Sequence, residues 1–200
     1  YTKMAENGVA LMGWADPFMP DFSIPEPIME KTIEAIHSPV SSHYTAPTGN
    51  MELREIICKR AKEKYGVELK PDRNIIITPG SDSGLFFSMF PFLQRDDEVI
   101  IPCPSYPNNL QNIKMMQATP MILELKDENN YQIDLDILEA LITDKTKMIV
   151  LTHPNNPTTT IYNRESLEAV RTVVLKYNLV LVCDQAFEDF TFKNEFTRYV

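Results

Sequence analysis

The stretch Leu179-Val180-Leu181-Val182-Cys183-Asp184 decides the predicted fold, because an apolar run leads directly into a carboxylate. A continuous aliphatic and β-branched run bounded by polar residues is typical of a strand covered on both faces, as in parallel α/β sheets. Asp184 then lies at the carboxyl end of that strand, the edge at which open α/β sheets bind ligands. One acidic residue in this position often only starts a turn, so the interpretation depends on whether other strands repeat the pattern.

Three earlier segments repeat it. Predicted strands at 74–78, 98–101 and 147–151 each run into a turn rich in Pro, Gly or Asn, and a further strand is predicted at 121–125. Helical periodicity and cap residues predict helices over 27–37, 51–65, 85–90, 108–117 and 135–142, and another after Asn163. This alternation predicts an α/β fold, a three-layer sandwich with a mainly parallel sheet and right-handed crossovers.

The first segment, 1–48, is predicted to be an irregular arm, since prolines recur at 17, 20, 25, 27 and 39. Residues 49–200 are assigned to the α/β domain. The single tryptophan, Trp14, lies in the arm, either as a packing anchor or as a cover for a pocket.

Composition narrows the function classes. A net charge of −9 argues against a nucleic-acid partner. The sequence contains neither a membrane-spanning stretch nor a signal peptide, so no membrane partner is expected. The three cysteines and three histidines show no disulfide or metal-ligand spacing, which predicts no metal site and a reducing, cytoplasmic location.

Four predicted turns place polar or aromatic residues at one edge of the sheet, namely Ser81, Tyr106, Asn156 and Asp184. The turn at Gly80 leads into a helix, whose unpaired N–H groups can bind an anion, although Ser81 could instead be a plain N-cap. Tyr106 could be a surface turn residue or a ring that stacks on a planar ligand. An anion cradle, a flat aromatic ring, an amide and a buried carboxylate together suit pyridoxal 5'-phosphate.

At these positions the sequence resembles the fold-type I pyridoxal-phosphate enzymes of aminotransferase class I and II. The resemblance covers nearly all of the chain, and the order and spacing of its motifs are highly specific. The motifs are Tyr44-Thr45-Ala46-Pro47-Thr48-Gly49, Pro79-Gly80-Ser81, Pro104-Ser105-Tyr106-Pro107, Asn155-Asn156-Pro157-Thr158 and Asp184-Gln185-Ala186-Phe187.

The resemblance implies a role for each motif. Asp184 resembles the carboxylate that keeps the pyridine nitrogen protonated, and Asn156 the donor to the phenolic oxygen. Tyr106 resembles the stacking ring, and the backbone around Gly80, Ser81 and Asp82 resembles the phosphate cradle.

Two further matches concern the arm. Tyr44 resembles a tyrosine that reaches the neighbouring subunit's phosphate, which implies a homodimer for the full-length enzyme. Gly13 and Trp14 match a region near the substrate.

Three residues depart from the family pattern. Phe187 replaces the usual tyrosine, so one hydroxyl donor to the phenolic oxygen is missing. Thr159 replaces the usual glycine after Asn-Pro-Thr, so the family's turn geometry is in doubt at this position. Asp82 places a carboxylate where a phosphate is expected, so its side chain must point away or meet a cation.

The resemblance also implies a Schiff-base lysine beyond Val200, so no catalytic residue is expected within the chain. Lys193 lies too close to Asp184 and is interpreted as a solvated loop charge. Because the sequence opens with Tyr1, its native start is expected upstream. Because the lysine is missing, we expect the chain to be the arm and most of the large domain of a longer enzyme, inactive alone.

The predicted activity is transfer of an amino group between an amino acid and a 2-oxo acid. A carbon–sulfur β-lyase or a decarboxylase of the same fold would use the same residues. From another class, a non-catalytic cofactor-binding or interaction fragment stays open. A nucleotide-binding α/β domain is disfavoured, because no Gly-rich dinucleotide fingerprint follows any strand.

Overall fold

The computed structural model describes residues 7–8, 24–192 and 196, in two compact units, Tyr1–Thr45 and Ala46–Val200. The described part of the first unit contains helix α1 (Glu26–His37) and a 3₁₀ turn at Pro39–Ser42. Pro27 lies in the first turn of α1, where its missing N–H costs no hydrogen bond. The helix predicted over 27–37 is confirmed.

From residue 81 onward, the second unit alternates helices and strands as predicted. Its regular elements are α2 (Met51–Tyr65), α3 (Ser81–Met89), β1 (Glu98–Cys103), α4 (Pro107–Met115), β2 (Thr119–Glu124), α5 (Leu135–Ala140), β3 (Thr146–Thr152), α6 (Arg164–Tyr177) and β4 (Val180–Asp184). A 3₁₀ turn at Asp127–Asn129 follows β2.

Helix boundaries follow from local chemistry. The side chains of Asn50 and Asn163 accept hydrogen bonds from the N–H groups of Leu53 and Ser166, and so cap α2 and α6. Asp134 caps α5 in the same way. Gly66 ends α2 with a φ of 71°, a left-handed conformation that suits glycine.

The four described strands form one parallel sheet in the order β2-β1-β3-β4. Side chains alternate between its two faces, and each face is covered by helices. One face packs its aliphatic side chains, with Ile100 and Ile149 at the centre, against α5 and α6, and the other packs Val99 and Val150 against α3 and α4. The predicted α/β three-layer architecture with a parallel sheet is therefore confirmed.

One predicted strand is wrong, and another is confirmed but lies at an edge. No strand forms at 74–78, where a hydrogen bond from the Ile77 N–H to the Thr48 carbonyl at 3.0 Å is present without a ladder. β4 forms as predicted and packs on both faces, but it is an edge strand of the described sheet and only Val182 within it is buried. β3 is an interior strand, and six of its seven residues are buried.

Candidate functional site

The start of α3 offers free backbone donors at the carboxyl edge of the second unit. Gly80 is the N-cap, with a φ of 87°, and no side chain caps the helix. The alternative that Ser81 is the N-cap is wrong, because Ser81 is already the first helical residue. A glycine in this conformation leaves the first N–H groups of a nine-residue helix to an external anion.

Tyr106 lies beside this helix start. It is the N-cap residue of α4, and its hydroxyl donates to the Asp82 carboxylate at 3.3 Å while accepting from the Asn108 amide at 3.1 Å. Burial raises the pKa of Tyr106, and the hydrogen bond to Asp82 and the charges of Asp82 and Asp184 raise it further. The phenol therefore stays protonated at neutral pH and acts as a donor.

Asp184 ends β4 on the same side of the sheet. One carboxylate oxygen accepts from the Ala186 N–H at 3.0 Å, which closes a turn directly after the strand. Burial raises the pKa of Asp184, the Ala186 N–H lowers it in part, and the charge of Asp82 raises it again. Asp82, Tyr106 and Asp184 are thus close enough to perturb one another.

The Asp82 and Asp184 carboxylates give this site a negative charge that favours a bound cation. In the part of the chain that the structure describes, neither Asp82 nor Asp184 forms an ion pair. A half-buried carboxylate gains most from a positively charged hydrogen-bond donor. A protonated ring nitrogen is such a donor, so Asp184 fits the pyridine end of pyridoxal phosphate.

Asp82 fits that cofactor less simply. The sequence required its side chain to point away or to meet a cation, and it instead accepts a hydrogen bond from the neutral hydroxyl of Tyr106. Its charge therefore stays in the site, close to Asp184.

The loop that carries Asn156 lies next to Asp184. Thr152, at the end of β3, pairs with Asp184, and the His153 N–H donates to the Asp184 carbonyl at 2.8 Å. Asn156 follows three residues later and is half-buried. The two loops after β3 and β4 therefore leave the sheet together.

Buried neutral groups join this loop to the one that carries Tyr106. The Asn155 amide donates to the Pro104 carbonyl at 3.1 Å and to the Thr158 hydroxyl at 2.7 Å. The Asn109 amide donates to the Thr152 hydroxyl at 3.0 Å and more weakly, at 3.3 Å, to Ser105. The role of Asn109 is not predictable from the sequence, because a polar residue inside a helix gives no local signal of such a contact.

The other departures from the family pattern have structural counterparts. Phe187 is half-buried, with its ring edge-on to Phe190 at 6.1 Å between centroids. Thr159 adopts a left-handed backbone conformation, with a φ of 59°, and its N–H donates to the Asn155 carbonyl at 2.9 Å. The turn is therefore built with a β-branched residue in left-handed backbone.

The remaining predicted site residues belong to the first unit or lie outside the described residues. Tyr44 belongs to the first unit and is fully exposed. Gly13 and Trp14 lie outside the described residues, as does Lys193.

The described residues also bear on metal, disulfide and membrane features. They contain no cluster of three or more His, Cys, Asp or Glu side chains that could hold a metal ion. Cys58, Cys103 and Cys183 are free, and burial raises the pKa of Cys183 to about 12. No described helix combines the length and the apolar character that a bilayer crossing requires.

A parallel α/β sheet whose carboxyl edge gathers a helix start, a tyrosine, an amide loop and a half-buried aspartate defines the class, the fold-type I pyridoxal-phosphate enzymes. The family model for aminotransferase class I and II matches residues 15–199, and the chain belongs to this family. Members of this family depend on pyridoxal 5'-phosphate.

Relatives agree in sequence and in structure. An aspartate aminotransferase of Musicola paradisiaca is 37% identical over 169 residues, which make up 84% of this chain and 42% of that protein. The solved alanine aminotransferase of Pyrococcus furiosus has a TM-score of 0.89 at 29% identity, covering 97% of this chain and 49% of its own. For the aspartate aminotransferase of Thermotoga maritima the TM-score is 0.87 at 30% identity, covering 98% and 52%. The chain thus spans about half the length of the relatives it matches.

Proposed function

We propose that the full-length protein containing these residues is a pyridoxal-phosphate-dependent aminotransferase that moves an amino group between an amino acid and a 2-oxo acid. The observation that carries this proposal is the position of the Asp184 carboxylate. It lies half-buried at the end of β4, without a cationic partner in the described residues, and close to Tyr106 and the start of α3.

The bound cofactor supplies the electron sink for breaking a bond at the substrate Cα, and the residues of this chain hold it in the state that can do so. Asp184 holds the proton on the ring nitrogen, because its charge favours the protonated form. The N–H groups of Ser81 and Asp82, in the first turn of α3, would bind the phosphate, since the positive end of this helix attracts an anion.

Two side chains orient the ring. Asn156 donates to the phenolic oxygen, and Phe187, which lacks a hydroxyl, adds no second donor there. The Tyr106 ring packs against the cofactor, while its hydroxyl holds the Asp82 carboxylate. The loops of Tyr106 and Asn156 are joined through Asn155, which limits movement of one relative to the other.

The substrate is proposed at the level of its class. The relatives are named as aspartate and alanine aminotransferases, so different amino acids are associated with this fold. The covalent lysine is proposed to lie beyond Val200, and Gly13 and Trp14 to lie near the substrate.

The proposed setting is a homodimer in the cytoplasm. Tyr44 is fully exposed, which leaves it available to a neighbouring subunit. The three free cysteines suit a reducing compartment.

The test is product analysis with the full-length protein. With pyridoxal phosphate, a panel of amino acids and an added 2-oxo acid, we expect a visible cofactor absorption band and a new amino acid in the products. Replacing Asp184 with Asn should reduce the rate on the order of 10²–10³-fold, the effect typical of losing one preorganised electrostatic group.

Other outcomes would contradict the proposal. Pyruvate and ammonia from cystine would indicate a β-lyase, and carbon dioxide release would indicate a decarboxylase. Absence of any cofactor absorption in the full-length protein would indicate a non-catalytic interaction protein.

A further inference from the structure

A set of charged residues joins helix α2 to the turn that follows Asp184. The Arg60 guanidinium donates to Glu188 at 3.1 Å and to Asp189 at 2.9 Å. The Lys64 ammonium donates to the same two carboxylates at 2.9 Å and 2.6 Å. The Tyr65 hydroxyl donates to the second oxygen of Glu188. We call these five residues the turn clamp.

The clamp acts on the turn that contains the Asp184 motif. Asp184 accepts from the Ala186 N–H, and the Glu188 N–H donates to the Gln185 carbonyl at 3.0 Å. Only three residues lie between Asp184 and Glu188, and these backbone bonds make the segment compact. A shift of Glu188 therefore moves the N–H group that holds Asp184.

Glu188 is the strongest member of the clamp. Its side chain is 16% exposed and accepts from three donors, and that of its partner Lys64 is 24% exposed. The Asp189 and Arg60 side chains are 63% and 55% exposed, so water screens their contact. A largely buried carboxylate with several donors holds its partners more firmly than an exposed pair.

Removing one partner would be costly for the same reason. Burial lowers the pKa of Lys64, but its hydrogen bonds to Asp189 and Glu188 outweigh this effect and the pKa is raised overall. Without Glu188, the Lys64 ammonium and the Tyr65 hydroxyl would lose an acceptor in a half-buried place. The turn would then be held to α2 only by the more exposed contacts of Asp189.

We propose that Glu188 is a positioning residue of the cofactor site, which fixes the Asp184 carboxylate toward the pyridine nitrogen by tying the turn after β4 to helix α2. This inference rests on the proposed function. It goes beyond it by assigning a role in cofactor binding to a residue that does not itself contact the cofactor.

The test uses the full-length protein, with Glu188→Ala and Glu188→Gln. Glu139→Ala is the matched control, because Glu139 also accepts from a lysine and a tyrosine, Lys176 and Tyr177, but on α5 and α6. Two quantities are measured: the cofactor dissociation constant, and the ¹⁵N NMR shift of a cofactor labelled at the ring nitrogen. The shift reports whether that nitrogen is protonated, and so whether Asp184 is in place.

We expect Glu188→Ala to weaken cofactor binding about tenfold, the loss expected for one partly buried charged hydrogen-bond set, and to move the ¹⁵N shift toward the unprotonated value. Glu188→Gln keeps one acceptor oxygen and should lie between Ala and the parent. Glu139→Ala should match the parent in both quantities.

The proposal is overturned if both Glu188 variants keep the parent's dissociation constant and ¹⁵N shift. If Glu188→Ala fails to fold, Tyr65→Phe, which removes a single donor, and Glu188→Gln decide the matter in the same two measurements. Failure of the proposed function looks different, since the parent itself would then bind no cofactor, or its ¹⁵N shift would not respond to Asp184→Asn.

Discussion

The two loops that form the candidate site are held by different kinds of contact. The loop after β3 is joined to the loop after β1 by the buried neutral amides of Asn155 and Asn109. The turn after β4 is held to α2 by carboxylates and cations, several of them half-exposed, with Glu188 at the centre. Asp184 and Asn156 thus come from neighbouring strands but rest on different supports.

The difference has a physical consequence. Neutral buried hydrogen bonds do not change with salt or with pH near neutrality. The contacts that hold the loop after β3 should therefore be equally stable under these changes. Ion pairs near solvent weaken with salt and depend on protonation, so the β4 turn responds to conditions. The turn after β4, which carries the titrating Asp184, is therefore held by contacts that depend on salt and pH.

The largest expected effect comes from breaking the neutral support. Asn155→Ala in the full-length protein should lower the free energy of unfolding by about 1–3 kcal/mol, because the Pro104 carbonyl and the Thr158 hydroxyl lose a buried donor. Urea unfolding measures this loss, which should not change with salt. Asn129→Ala is the control, since Asn129 is exposed and donates to the Gln132 carbonyl. Equal losses in both variants would contradict the prediction.

The same loop can be tightened at Thr159. Thr159→Gly should raise the free energy of unfolding by about 0.5–1 kcal/mol, because relief of a left-handed β-branched residue outweighs the added chain entropy of glycine. Asn130, with a φ of 55°, is the control, since asparagine tolerates this conformation and Asn130→Gly should gain little. Thermal unfolding compares the two, and a loss of stability in Thr159→Gly would refute the idea.

A smaller effect is expected in how the free energy of unfolding depends on pH, through Asp184. Because the pKa of Asp184 is raised by burial, the folded protein binds this proton more tightly than the unfolded chain. Stability without added cofactor should therefore fall as the pH rises from below the ordinary carboxyl pKa, about 3.9, through the raised value. Asp184→Asn should be more stable than the parent at neutral pH, and the two should converge in acid.

Asp189→Asn gives the opposite sign and serves as the comparison. The hydrogen bond from Lys64 lowers the pKa of Asp189, so its contribution to stability is present at neutral pH and lost as the pH falls through the lowered value. Unfolding curves collected from acid to neutral pH measure both variants. Parallel pH profiles for the two would contradict the assignment.

The smallest expected effect concerns the exposed edge of the turn clamp. Arg60→Ala should cost little stability at low salt, and the difference should shrink at about 1 M salt, where the Debye length is about 3 Å. Arg171→Ala, which breaks a similarly exposed pair with Glu168 on α6, is the control for stability. Only Arg60→Ala should also weaken cofactor binding at low salt. An equal effect of both variants on cofactor binding would show that the turn clamp does not influence the cofactor site.

Much of the fold could be predicted from local pattern. The cap residues Asn163 and Asp134 and the stop at Gly66 mark helix ends, because each acts on backbone groups within a few residues. The prediction of a strand at 74–78 is wrong because β-propensity alone does not provide a neighbouring strand with which the segment could pair. The same limit explains why β4, the most apolar run, lies at the edge of the described sheet.

By itself, the sequence determined the alternation of strands and helices, and the family motifs that follow strand ends. Those are local properties of apolar periodicity and turn chemistry. Only the tertiary structure decided that Asp82 accepts from Tyr106, that Asn109 joins two loops, and that Glu188 ties the Asp184 turn to α2. These contacts link residues 24 to 123 positions apart, and a contact at that separation depends on how the whole sheet brings its loops together.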